Sequence, residues 1–338
     1  MRFLTLLSTL VYVAYAGTTM RNAFFGAVEE GNSRHVYMLL PVVDLNAQNG
    51  YALRKASELE HLAIISQIAN EPRAEVNEAV EFAIQHGNEA QMRHLLDWVD
   101  WDAQRVASKR FLNLAIEGGH QNIVRLLLNH REVKPTNSLI EKAFNKGDAE
   151  ILRMLLENPR SSLDPNVVRY YKSDMEAEKM VNVMKVIFSD SRTKLDYFFN
   201  PKTRQFQQGD NPQVVHDLFQ WAVSTPNQER LAERLTFSYH EALEKNPALD
   251  PSMNHNAAIQ YAAQTGNVGF VKLLLRDSRV NPADLDNKAY KLANLKRKEA
   301  LDKLEHIFSG HAEVPKEKVN LISMAITKPF NDILDLLH

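Results

Sequence analysis

Leu114-Ala115-Ile116-Glu117-Gly118-Gly119-His120-Gln121-Asn122-Ile123-Val124-Arg125-Leu126-Leu127-Leu128 decides how the rest of the chain is read. It holds a small Ala, a Gly four residues on, an aliphatic pair, and then a run of Leu. The same template recurs at Ala83, Gly87, Met92, Leu95 and Leu96, and at Ala143, Gly147, Ile151, Leu152, Leu155 and Leu156. It recurs again at Ala262, Gly266, Phe270, Val271, Leu274 and Leu275, and near the start at Ala27, Gly31, Val36, Leu39 and Leu40. Weaker copies replace the Gly. Ala56 is followed by Glu60, Ala222 by Pro226, Ala293 by Arg297 and Ala325 by Pro329, and a further copy lies around Met175, Val183, Met184 and Ile187. These make nine or ten units, 27 to 32 residues apart where the pattern is best kept.

The spacing has a physical basis. Residues around the Ala form a first helix, and the Gly ends it, because glycine accepts a left-handed backbone without steric cost. The aliphatic pair and the Leu pair then fall three and four residues apart, on one face of a second helix. The Ala is small because neighbouring helices approach closely there. Each helix pair leaves an apolar face that only the next pair covers. The repeat-defining residues are therefore Ala83, Gly87, Ala115, Gly119, Ala143, Gly147, Ala262 and Gly266. Asn lies six residues before the Ala at Asn77, Asn137, Asn256 and Asn287, where it is expected to cap a helix start. Links such as Arg276–Pro282 and Glu157–Pro165 separate the units. Pro stops the second helix there, and a lone aliphatic residue tucks under the stack.

The string Ala115–Leu128 resembles the second half of an ankyrin repeat. Residues 266–282 and 284–293 resemble a divergent branch of that family, in which the Thr-Pro-Leu-His tetrapeptide is absent. The likeness extends over roughly residues 20–338 and is strongest at 77–165 and 254–293. It implies an all-α, ankyrin-like helical solenoid with short loops in place of long hairpin fingers. It also implies a protein that works by binding another protein, as a monomer and without a cofactor or metal.

Residues 1–16 read as a separate object. Arg2 supplies a positive start, Phe3–Tyr15 is a short apolar run, and Ala14-Tyr15-Ala16 is a small-x-small cleavage pattern before Gly17. This is the pattern of a secretory signal peptide, and the run is shorter than the ~20 apolar residues of a membrane anchor. The expected organisation is 1–16 signal peptide, 17–165 N-terminal repeats, 166–216 a degenerate repeat with an inserted loop at Pro201–Pro212, and 217–338 C-terminal repeats and cap. Secretion usually brings disulfides, yet the chain has no cysteine. A secreted chain without staples suits a journey that ends in the cytoplasm of another cell. No membrane association is expected once the leader is removed.

The 40 basic and 42 acidic residues give a net charge of -2, which opposes nucleic-acid binding through bulk electrostatics. The basic run Lys291–Lys303 reads as the solvated face of a helix. No phosphate loop, His-Glu-x-x-His or nucleophile elbow is present, and there is no cysteine nucleophile, so the chain reads as no enzyme. A hidden active site would need a clustered polar pocket around 166–216.

Aromatic residues are the candidate partner contacts, since they are enriched at interface hot spots. Trp98 is expected to be exposed and Trp101 to be core; Tyr170, Tyr171 and Phe206 stand behind Trp98 as candidates. The leading functional expectation is a secreted effector-like protein of a parasite or symbiont that engages a host protein. The alternative is an adaptor that recruits a ubiquitin ligase through an F-box-like segment, Val314-Pro315-Lys316-Glu317-Lys318-Val319 before Leu321 and Ile322.

Overall fold

The computed structural model describes residues 2–99, 101, 105–130, 133–159, 163–170, 175–207, 211–309 and 316–338. Within these, the side chains of 2–15, 49, 105–108, 169–170, 309 and 316 lie outside the description. The fold is all-α. Among the described residues there are seventeen α-helices, three short 3-10 turns and, in place of any strand, one isolated bridge. The chain divides into two compact units, Met1–Val168 and Arg169–His338. The predicted degenerate segment 166–216 thus belongs mostly to the second unit.

In the first unit the helices come in pairs: α1 (Arg2–Glu29) with α2 (Ser33–Leu39), α3 (Ala47–Glu58) with α4 (Leu62–Ala69), α5 (Val76–Gln85) with α6 (Glu89–Leu96), α7 (Arg105–Gly118) with α8 (Gln121–Asn129), and α9 (Asn137–Lys146) with α10 (Ala149–Leu156). First helices pack on first helices, from α1 through α3, α5 and α7 to α9, and second helices on second, from α2 through α4, α6 and α8 to α10. Periodicity explains the two rows. In α8 the buried residues are Ile123, Val124, Leu127 and Leu128, and in α10 they are Ile151, Leu152, Leu155 and Leu156. A pair, a gap of two and a second pair make one stripe on a 3.6-residue helix, and in the gaps Arg125 and Arg153 face water while Leu126 and Met154 are half-buried. The first helices are built alike, with Leu139, Ile140, Ala143 and Phe144 buried in α9. Ala83, Ala115, Ala143 and Ala262 are all wholly buried. Val133, Leu163 and Val280, the lone aliphatic residues of the links, are buried too.

Gly87, Gly119, Gly147 and Gly266 all take positive φ, between 66° and 74°. At Gly147 the N–H bonds back to α9, closing that helix in a left-handed cap. Gly87 is required twice over. Beyond its φ of 66°, a Cβ there would lie 2.7 Å from His120 Nδ1, because the residue after one unit's turn lies across the preceding unit's glycine. After Gly31, Gly87, Gly147 and Gly266 the residue capping the second helix does so with its side chain, whereas His120 after Gly119 makes no such bond. Asn88 Oδ1 accepts from Gln91 N at 3.0 Å, and Asp148 Oδ1 from Ile151 N at 3.0 Å.

Two of the asparagines expected to cap their own first helices, Asn137 and Asn256, do something else. Asn137 Oδ1 accepts the N–H of Asp164, 2.9 Å away in the next link, while Thr136 holds the cap position. Asn256 Oδ1 likewise accepts from Asn281 N at 2.8 Å, and its Nδ2 donates to Asp284 at 2.9 Å. Asn46 does the same for Glu75 N at 2.8 Å. These side chains bond one unit to the next, because the link's backbone is the nearest set of unpaired donors.

The second unit holds α11 (Ala177–Ser189), α12 (Pro212–Ser224), α13 (Glu229–Lys245), α14 (Met253–Thr265), α15 (Val268–Leu274), α16 (Asp284–Ser309) and α17 (Lys316–Leu337). Here α12 pairs with α13, α14 with α15 and α16 with α17; α14 packs on α12 and α16, and α15 on α17. The units predicted around Ala293 and Ala325 are corrected. No turn forms at Arg297 or Pro329, and each predicted unit is one long helix of a single terminal pair. Arginine is a good helix former. Pro329 is tolerated inside α17 because the carbonyl it leaves without a helical partner belongs to Ala325, which is exposed rather than packed. Among the described residues, no helix is long and apolar enough to cross a membrane.

Candidate partner-binding surface

Within the stretch between α11 and α12, residues 198–207 form a compact hairpin. Phe199 and Phe206 form the bridge, Gln207 N donates to Phe198 O at 2.9 Å, and Asn200 Oδ1 takes the N–H groups of Lys202 and Thr203 at 2.9 and 3.2 Å. Arg204, at the tip, sits at a φ of 61°. The aromatic side chains point inward, and Phe198, Phe199 and Phe206 are all buried, gathered on Phe188 with ring centroids 5.2 Å (Phe198) and 6.1 Å (Phe206) away. This corrects the expectation for Phe206. At 4% exposure it is core rather than a surface aromatic, since with Phe198 and Phe199 it holds the hairpin down on Phe188.

The hairpin is fastened to α13. Phe206 N donates to Ser238 Oγ at 2.9 Å, Gln205 Nε2 to Glu241 at 3.0 Å, and Arg234 pairs with Asp196. Helix α13 is amphipathic, with Leu231, Ala232, Leu235, Tyr239 and Ala242 buried. Its opposite face, together with Arg204 and the start of α15, borders a groove of about 750 Å³. Arg204, Arg230, Arg234, Glu233, His240 and Phe237 line it, over a floor that includes Phe270. Phe237 is 53% exposed, an unusual position for a Phe in a packed helical unit. Arg204 and Arg230 have no ion-pair partner among the described residues. A second groove of about 800 Å³ shares Arg230, Glu233, Thr236 and Asn267 with the first and continues past Tyr261 to Lys296. Burial pushes the Tyr261 phenol up to about 12, so the wall there is a neutral hydrogen-bonding group.

Behind α13 lies a buried polar cluster. Gln220 Nε2 donates to Tyr239 Oη at 3.0 Å, the Tyr239 ring stacks on Phe219 with centroids 4.1 Å apart, and His216 Nε2 is 3.3 Å from Met253 Sδ. Among the described residues, His216 Nδ1 and Gln220 Oε1 are buried without a hydrogen-bond partner. Burial holds the His216 imidazole below its usual range and raises the Tyr239 phenol well above its own. Neither large groove is lined by His216, Gln220 or Tyr239, so these groups sit in packing, closed off from those openings. Among the described residues, no group of His, Asp and Glu is placed to hold a metal ion.

The sequence-predicted aromatics are scattered. Trp98, in the first unit, is half-buried. Trp101, expected in the core, is half-buried as well: it stacks on His130 with centroids 4.1 Å apart, meets Phe111 edge-on, and donates Nε1–H to Leu96 O at 3.3 Å. Tyr171 and the side chain of Tyr170 lie outside the described residues. Phe237, Arg204 and Arg230 were not among the candidates. For Phe237 a signal existed: on the helical wheel of Glu229–Lys245 it falls with Arg230, Glu233 and Arg234, on the polar side. Arg204 offered none, because the hairpin that brings it to α13 depends on long-range packing. No family model matches the chain, and no curated protein matches it.

Proposed function

We propose that this chain is an exported helical-repeat protein of ankyrin-like build that binds a partner protein and has no catalytic role. On this reading the units stack as a solenoid, each pair sealing the next, and the scaffold exists to hold a surface. The observation that carries it is the pair of adjoining grooves on the second unit, bordered by arginines and an exposed Phe237. Arg and aromatic residues are the side chains that dominate interface energetics, and rigid helices present them at little entropic cost. The leader-like residues 1–16 and the lack of cysteine support export followed by work in a reducing compartment, as an effector on a host protein.

Affinity purification from host tissue tests this reading, with the full chain and an F237A/R230E variant as parallel baits. A protein retained by the first and lost from the second is the expected result. Identical captures, or none, would defeat the assignment of the grooves. Fusion of residues 1–16 to a reporter tests export: the reporter should reach the medium with Gly17 at its N-terminus.

The adaptor reading keeps one observation in its favour. Leu321 and Met324, at the start of α17, are each 71% exposed, an apolar face in the segment that carries the F-box-like echo. Val314 and Pro315 lie outside the described residues. Binding to the ligase's linker subunit that an L321D/M324D variant loses would favour the adaptor over the effector.

A further inference from the structure

We infer that the groove along α13 takes an acidic peptide segment of the partner, with one apolar side chain of that segment seated on Phe237. The inference rests on the partner-binding reading above and adds the chemistry of what binds. Around the groove stand Arg204, Arg230 and Arg234 against one carboxylate, Glu233. Arg234 is already occupied by Asp196, whereas Arg204 and Arg230 have no ion-pair partner among the described residues. They come from different elements, a hairpin tip and the first turn of α13, and Phe237 lies along the groove with them. A chain that is slightly acidic overall has therefore placed unpaired guanidinium groups around an exposed ring.

A guanidinium binds carboxylate in fork geometry, and a stretch bearing carboxylates on either side of an apolar residue satisfies both arginines and covers the ring in one pose. A nucleic-acid strand offers the same negative charge but suits the groove less well. Glu233 and the adjoining Glu229 would face its phosphates, whereas a peptide backbone offers Glu233 its N–H groups.

The probe is a phage-displayed library of random 12-residue peptides, panned on the full chain and counter-screened on R204E/R230E and on F237A. The expected outcome is enrichment of sequences with at least two Asp or Glu flanking an apolar residue. Their affinity should fall by about 10- to 100-fold on R204E/R230E and by about tenfold on F237A. It should also fall severalfold between 0.05 and 0.5 M salt. Circular dichroism of both variants should match the parent, since all three side chains lie outside the core. Enriched peptides without acidic residues, or acidic ones that bind all variants equally, would overturn the inference and leave protein binding as such standing. If no peptide is enriched, the inference falls, and the affinity purification described above decides separately whether the partner-binding reading stands. If a labelled dT12 oligonucleotide outcompetes the selected peptides on the parent but not on R204E/R230E, the groove belongs to nucleic acid instead.

Discussion

The turns of the first unit and those of the second solve the same geometric problem with different residues. At Gly87, Gly119 and Gly147 the chain reverses through a residue with no side chain to obstruct it, and at Gly87 His120 of the next helix pair fills the vacated space. The second unit keeps one such glycine, Gly266. Between α12 and α13 the left-handed residue is Asn227, displaced from the expected position by Pro226, at a φ of 65°. At Arg297 and Pro329 the reversal is lost altogether and the helices run on. The first unit also has one exception, since Glu60 holds a φ of 59°. Packing on both sides of the turn therefore enforces it even where the residue resists, but only if a second helix with its own buried stripe follows. After Arg297 the apolar residues Leu301 and Leu304 continue the stripe of the same helix, so nothing pulls the chain back.

The sharpest way to break this contrast is Gly87→Val. It forces a β-branched residue into a left-handed conformation and against His120, and should cost about 3 kcal/mol in chemical denaturation. The equivalent change at Arg297, Arg297→Val, should cost less than about 1 kcal/mol, because no turn exists there to lose. Equal losses would mean that the glycine turn is not what sets the two regions apart. A next step down is Ala115→Leu, which overfills a wholly buried contact and should destabilise by about 2 kcal/mol, against ~0.5 kcal/mol or less for Ala325→Leu on the exposed side of α17. Asn137→Ala tests the bonding between units and should cost about 1 kcal/mol, with faster amide exchange at Asp164 than elsewhere. Glu60→Gly runs the other way: relief of the left-handed strain, partly offset by backbone entropy, should stabilise by about 0.5 kcal/mol.

The smallest expected effect is a pH dependence confined to the second unit. Because burial holds His216 below its usual pKa, the unfolded chain binds more protons than the folded one once pH falls below about 6.5. Stability should therefore decline from pH 7 towards pH 5. Hydrogen exchange should place the loss in α12 to α14, and His216→Phe should flatten it. A decline of equal size in His216→Phe would assign it to another group.

Much of the fold was legible in the chain because it is written in local terms. The Ala–Gly–aliphatic–Leu template marked nearly every helix pair of the first unit, and the buried residues of α8 and α10 are those the template named. The site was far less legible. Trp98 and Phe206 attracted attention as aromatics in irregular stretches, but a loop aromatic is as easily an anchor for its own loop, as Phe206 proves to be. Phe237 was legible in principle, since it falls on the polar side of its helix, but the hairpin that completes the groove beside it was not.

By itself the sequence determined that the chain is helical, that the first helices of the best-kept pairs end at Gly87, Gly119, Gly147 and Gly266, and which face of their partners is apolar. Those properties follow from backbone preference and a 3.6-residue period, both of which act over a few neighbouring residues. Only the tertiary structure decided that Asn46, Asn137 and Asn256 bond to the link of the following helix pair, that α16 and α17 run through their expected turns, and that a hairpin tip brings Arg204 beside Arg230 and Phe237. Such outcomes depend on which surfaces meet across tens of residues, where packing and the pairing of buried polar groups outweigh any local preference.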